Sequence, residues 1–232
     1  MSIISNVMLT VTEAFKSAYP DAAMGILVMR EVANPAHHPE LEARKAALED
    51  ELRARFAQHD RAALSALASI QPYVAYYGRF KKSYHVLLQL ESVALKRRSL
   101  PRVAALVEAM FMAELKNQLL TAGHDGDTLR APLRLDVARG DERYVMLNGQ
   151  EQTLKAGDMF MADAEGVTSS VIYGPDQRTR LTPDTRRVLF AVYAPPGIEH
   201  ATVHQHLEDI QANVRVIAPG AAVELLKVYV AE

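Results

Sequence analysis

The 232-residue sequence has no cysteine and no tryptophan, and aromatic residues make up only 6% of it. Without thiols there are no disulfide scaffolds, thiolate zinc sites, iron–sulfur clusters or cysteine nucleophiles. A surplus of one charge is also missing. With 26 Lys and Arg against 28 Asp and Glu, the formal net charge is -2. That excludes a histone-like polycation, so any contact with nucleic acid rests on a local patch. No apolar run approaches the roughly 20 residues of a membrane span. The first basic residue is Lys16, so no charged segment precedes an apolar core as in a secretory signal. These absences predict a cytoplasmic protein with no membrane partner. Nucleotide-binding loops are lacking as well: there is no G-x-x-x-x-G-K-[ST] and no G-x-G-x-x-G, which argues against activation of a substrate by ATP.

What is present is globular: 49% hydrophobic and 23% charged residues. The front half reads as helical. Gly25–Met29 is a short apolar run expected to form a buried strand, and the Asn34–Pro39 loop precedes a helix carrying Leu41, Leu48, Leu52 and Phe56. Asp60 is placed to cap a second helix bearing Leu64 and Leu67, and Ser83 a third bearing Leu87, Leu88 and Leu95. Pro101 is expected in the first turn of a helix through Val103, Leu106, Val107, Met110, Phe111 and Leu115, with Gly123 as its stop. Beyond Pro132 the period changes to two. Leu133, Leu135 and Val137 alternate with polar neighbours, and Asn148-Gly149 marks a hairpin. Further strands are expected at Met159–Ala162, Val167–Tyr173, Val188–Tyr193 and Val223–Val230, with a helix bearing Val203, Leu207 and Ile210 between the last two. The pattern predicts one α+β domain over residues 1–232, with layered sheets beside helices.

Few side chains point to chemistry. His200 and His204 share a helical face, but no third ligand accompanies them and the glutamate of an H-E-x-x-H helix is missing, so no metal and no cofactor is expected. His37-His38 reads as a surface loop. Ser169-Ser170 lacks the G-x-S-x-G elbow of a serine nucleophile. The basic stretch is more informative: Arg79, Lys81, Lys82, Lys96, Arg97, Arg98 and Arg102 face a single acid, Glu91. Tyr73, Tyr76, Tyr77, Phe80 and Tyr84 are interleaved with its start. Cations beside aromatics are what a surface for single-stranded RNA uses; the alternative is that the rings are core and the cations solubilise helix ends. Arg178 and Arg180, after the Gly174-Pro175-Asp176 turn, can take carboxylate or phosphate, or pair with Asp176 and Asp184.

Taken in order, Ser99-Leu100-Pro101-Arg102-Val103, His124–Leu129, Ala138–Glu142, Leu154–Asp158, Ala162-Asp163, Gly174-Pro175-Asp176 and Thr185 resemble a known family. It is the module formed by the third and fourth B domains of the bacterial phenylalanyl-tRNA synthetase beta subunit, and in particular its free-standing homologues. The resemblance spans about residues 20–195 and implies an α+β fold with tRNA binding and editing. It places a ligand pocket among the Val167–Tyr173 strand, the Gly174 turn and the Val188–Tyr193 strand. The candidate ligand contacts are Ser170, Gly174, Arg178 and Arg180, and His124 and Glu142 are the catalytic candidates. The family glutamate that reads a tyrosine hydroxyl is replaced by Ala191, and the family histidine is displaced to His124. The expected function is therefore an RNA-binding module, with tRNA as partner. A trans-acting hydrolase of mischarged aminoacyl-tRNA or a related aminoacyl ester is the alternative, and a small-molecule binder that kept only the fold a third. No synthetase core is read in the chain, so ligase activity is not expected.

Overall fold

A computed structural model describes residues 9–231. The chain begins with β1 (Leu9–Val11), α1 (Glu13–Ala18) and β2 (Ala23–Arg30). Helices follow: α2 (Pro39–Arg55), α3 (Arg61–Ser65), α4 (Gln71–Arg79), α5 (His85–Leu90) with a π-helical turn at Glu91–Leu95, and α6 (Ala105–Asn117). The second half holds β3 (Leu120–Asp125), β4 (Leu133–Val137), β5 (Arg143–Val145), β6 (Glu151–Thr153), β7 (Met159–Asp163), β8 (Gly166–Ser170) and β9 (Gly174–Pro175). It ends with β10 (Arg187–Ala194), α7 (His200–Ile217) and β11 (Ala222–Val230). This is the α+β architecture that the change of period predicts.

Two sheets form the body. One is antiparallel in the order β11-β2-β10-β3; the other runs β1-β4-β7-β8-β9, with β1 and β4 parallel. Strand β10 is buried along its whole length because both its faces are covered. On one face Val192 meets α7: a Cβ on its partner Gly25 would sit 2.7 Å from Val203 Cγ1. On the other, Tyr193 reaches the second sheet, its hydroxyl accepting the Met161 N–H at 3.0 Å. The β5–β6 hairpin adds a smaller core in which Tyr144 and Leu154 pack with Phe160, Ala162 and Val167.

Several local expectations need correction. Helix α5 starts after Tyr84, not Ser83, and has no side-chain cap. Pro101 lies in extended chain, and α6 starts at Ala105 because tertiary partners satisfy its first donors. The Ala105 N–H donates to the Pro35 carbonyl at 2.9 Å, the Leu106 N–H to Asn34 Oδ1 at 2.9 Å, and the Val103 N–H to Glu108 Oε1 at 2.8 Å. Gly123 does not stop this helix. The helix ends at Gln118, which is left-handed at φ 57°, and Gly123 sits inside β3.

The tyrosines do not form an RNA-stacking surface. Tyr73, Tyr76, Tyr77 and Tyr84 are buried, with Tyr73 and Tyr84 stacked at 4.4 Å. A buried phenol needs a partner, and each has one. Tyr73 donates to the Tyr193 carbonyl at 2.6 Å, Tyr76 to Asp158 Oδ1 at 2.7 Å, Tyr77 to the Val171 carbonyl at 2.7 Å and Tyr84 to the Gln118 carbonyl at 3.0 Å. Tyr73, Tyr76 and Tyr77 are struts from the helical layer to β10, the start of β7 and the end of β8, and Tyr84 ties that layer to the end of α6.

Candidate functional site

The site is built on β3, an edge strand. One side of β3 pairs with β10. On the other side the Thr121 N–H donates to Glu114 Oε1 at 2.8 Å and the Asp125 N–H to the Thr179 carbonyl at 2.7 Å. Backbone groups of an antiparallel edge strand turn outward at every second residue, so Gly123, midway between, directs its N–H and C=O the same way. Gly123 lines a cavity of about 300 Å³. Its walls are Val107, Met110, Phe111 and Glu114 of α6, residues 120–123 of β3, Ser170, Val171, Gly174 and Pro175 around the β8–β9 turn, and Leu181 and Tyr193; His85, Leu147 and Arg180 complete the lining. Gly123 keeps the space open, since a Cβ there would lie 3.0 Å from Leu181 Cδ1 and 3.5 Å from Met110 Sδ. Gly174, at φ 80°, supplies the left-handed bend of the turn.

The lining is apolar with few polar groups, as small-molecule sites are. Glu114 is the exception. Its side chain is fully enclosed and burial pushes its carboxyl up to about 8, against the pull of the Thr121 N–H. Oε2 has no partner. Nothing in the composition marks this residue, but its spacing does: Glu114 lies four residues after Met110 and seven after Val107, in phase with the apolar stripe of α6.

His124 stands behind this wall. Its Nδ1 is 2.8 Å from Thr179 Oγ1, which bonds to Asp176, and its Nε2 is 3.1 Å from Ser169 Oγ, which lies 2.7 Å from the Tyr193 hydroxyl. A buried polar chain thus runs from Asp176 to a residue of the cavity wall. Burial, with Arg178 nearby, lowers His124 to about 3, so the imidazole is neutral. It has no exposed face and connects to the cavity wall through Ser169 and Tyr193. Asp158, also buried, is raised to about 6 by desolvation, opposed by the Tyr76 and Ser170 hydroxyls, and its Oδ2 has no partner.

Among the proposed ligand contacts, Ser170, Gly174 and Arg180 line the cavity and Arg178 does not. The Arg178 guanidinium lies 2.8 Å from Asp163 Oδ1, 3.4 Å from Glu165 and 3.6 Å from Asp176, and donates to the Thr128 carbonyl at 3.1 Å. It neutralises buried acids. Glu142 lies apart on the β5–β6 hairpin approach, where its carboxylate accepts the Arg139 and Gly140 N–H groups. His200 and His204 are exposed on α7, and among the described residues no group of three His, Asp or Glu is arranged to hold a metal ion.

All seven cations of the basic stretch are exposed. Lys96 pairs with Glu91 at 2.7 Å and Arg102 approaches Glu42 at 3.7 Å. Arg79 packs 5.2 Å from the Tyr19 ring and donates to its hydroxyl at 3.0 Å. With Lys81 and Lys155 it lines an open groove, and among the described residues no carboxylate pairs with these three. Lys155 was not foreseen from sequence. Lys82 Nζ lies 5.9 Å from the Tyr173 ring, in the turn between Val171 and Gly174 of the cavity wall, and among the described residues Arg97 and Arg98 have no acidic partner.

Residues 74–214 match the B3/4 domain family. The chain belongs to that family and is a homologue of the B3/B4 module of the phenylalanyl-tRNA synthetase beta subunit. No curated protein sequence matches it. Among solved structures it is similar to an N-terminal fragment of the phenylalanyl-tRNA synthetase beta subunit from Pyrococcus horikoshii, at 14% identity and a TM-score of 0.49. That likeness covers 94% of this chain and 50% of the other, so the chain spans half the length of the fragment. Among the described residues no helix is long and apolar enough to cross a membrane.

Proposed function

We propose that the chain binds tRNA, with the cavity beside β3 receiving the aminoacyl group at its 3′ end. The observation that carries this reading is the position of Lys82. It links the unpaired cations Arg79, Lys81 and Lys155 to the turn that closes an apolar cavity of about 300 Å³. A phosphate chain over the cations would bring its end group to the cavity mouth. Cation–phosphate attraction supplies affinity and the cavity supplies choice of end group. Filter binding of matched charged and uncharged tRNA tests it: the charged form should bind more tightly, and equal affinity for all charged and uncharged forms would refute the role of the cavity.

A second reading, hydrolysis of a mischarged aminoacyl ester in trans, is favoured by the outward Gly123 N–H and the buried Glu114 carboxyl in one wall. Preorganised donors of this kind stabilise charge that develops on an ester carbonyl, and aminoacyl esters are labile enough for positioning to count. Deacylation of a panel of aminoacyl-tRNAs, compared with the spontaneous rate, decides it.

A further inference from the structure

The cavity wall holds an acid whose second oxygen nothing in the fold satisfies. Glu114 Oε1 accepts the Thr121 N–H at 2.8 Å, while Oε2 has no partner, although the side chain is enclosed and lines the cavity. Leaving a buried polar atom unpaired is costly, and a ligand that satisfies it recovers that cost on binding. The adjacent basic residue, Lys116, is turned away to Asp209 at 2.8 Å, so no ion pair compensates a carboxylate here.

We infer that Glu114 is the specificity-determining residue of the cavity, donating a hydrogen bond from Oε2 to a carbonyl or ester oxygen on an otherwise apolar ligand. The inference rests on the cavity being the ligand site. A cationic amine is a poor partner for Oε2 itself, because it would have to be stripped of water in an apolar space and would first require the acid to ionise, so the ammonium of an aminoacyl ester would stay at the water-facing mouth. A carbonyl demands neither. Gly123 stands in the same wall.

The proton carries a signature. The acid keeps it up to about pH 8, so the donor is present at pH 7 and lost above that value. Other titratable groups lie around Glu114. Tyr73, Tyr77 and Tyr84 from the α4–α5 layer and Tyr193 from β10 are all raised by burial. From α7 comes His206, 2.7 Å from Thr121 Oγ1 and lowered to about 3 by burial. His85, also lowered by burial, and the Arg180 guanidinium complete the set. The tyrosines and histidines do not change charge between pH 7 and 9.

Calorimetry with two probes tests this. Methyl 3-phenylpropionate carries an ester carbonyl on an apolar body; phenethylamine carries an ammonium on a similar one. The ester should bind the wild-type protein about tenfold more weakly at pH 9 than at pH 7, as the protonated fraction falls. Glu114→Gln, which keeps a donor and an acceptor in the same shape, should bind it within about threefold of wild type at pH 7 with no such pH dependence. The pH series on the wild-type chain stands even if the variant fails to fold. The inference is overturned if the ester does not bind, if its affinity is flat with pH in the wild type, or if phenethylamine binds better and loses affinity in Glu114→Gln. Binding of uncharged tRNA, measured alongside, rests on the surface cations. Failure there would refute the tRNA reading and leave the ester result standing.

Discussion

The Tyr76 hydroxyl donates to Asp158 Oδ1 at 2.7 Å and accepts the Met159 N–H at 2.6 Å, so one side chain of α4 pins the first residue of β7 and its neighbour. The bond does not make Asp158 a comfortable anion. Its other oxygen is unpartnered and desolvation lifts the carboxyl to about 6.

This has a consequence for stability against pH. The folded-state value lies above the unfolded one, so protonation favours the fold, and stability falls as pH rises from about 4 to about 6. Asp158→Asn keeps an acceptor for Tyr76 and removes the titration. Across that window the variant should gain on wild type by up to about 3 kcal/mol, and the difference should level off above it. Urea unfolding at pH 4, 5, 6 and 7 measures this; a difference that does not change with pH would show that Asp158 ionises as freely in the fold as outside it.

The two arginines of the Gly174 turn should separate cleanly. Arg178 compensates the buried Asp163 at 2.8 Å, whereas Arg180 is exposed at the cavity. Arg178→Ala strands a buried carboxylate and should cost about 3 kcal/mol or more of stability, as removal of one partner of a buried pair does. Arg180→Ala should leave stability within about 0.5 kcal/mol and act on ligand affinity instead. Denaturant midpoints of both variants check the contrast.

The period of two exposed β4, β7, β8 and β10 in the sequence, because alternating or continuous apolar residues report burial directly. It could not reveal β3. Leu119 and Leu120 follow the apolar stripe of α6 without a break, and the helix ends through the left-handed Gln118, whose side-chain amide donates to the Lys116 and Leu115 carbonyls at 2.8 and 2.9 Å. The start of α6 was hidden for a related reason, since its cap is Asn34, 72 residues away. Of the site, the Gly174 turn and Arg180 were legible. Glu114 was legible only through its phase, and Lys155 through nothing local, because chain folding alone brings it beside Arg79. The tyrosines were open to two readings because composition places a ring near a cation without saying which of the two faces water.

Packing between β2 and α7 depends on one missing side chain. A Cβ on Gly25 would lie 2.7 Å from Val203 Cγ1 and 3.2 Å from Leu207 Cδ1. Gly25→Ala should therefore destabilise the protein by about 1–3 kcal/mol through overpacking. Val203→Ala, costly alone, should relieve part of that clash, so the double variant should lose less than the sum of the two. Additive losses in thermal unfolding would mean that α7 simply shifts to accommodate the methyl group.

The last prediction concerns which cations meet RNA. Lys96 already spends its charge on Glu91 at 2.7 Å, while Lys81 and Lys155 share a groove with Arg79 and have no acid beside them among the described residues. Arg79 is held by stacking on Tyr19 and a hydrogen bond to its hydroxyl, so the groove is set before any ligand arrives. Such preorganisation lowers the entropy lost on binding. Lys81→Ala with Lys155→Ala removes two exposed charges and leaves that support in place. If each makes one phosphate contact to a single strand, the slope of log affinity against log salt should fall by roughly 1.4, at 0.7 per contact. Lys96→Ala should change the slope less, because Glu91 competes for its ammonium. Loss in the groove variant should be similar for different RNA sequences, since phosphate contacts carry no base information. Fluorescence anisotropy at several salt concentrations reads all three quantities. A groove variant with the wild-type slope would move the phosphate path elsewhere, and Arg97 and Arg98, the other unpaired cations of the stretch, would be the next pair to replace.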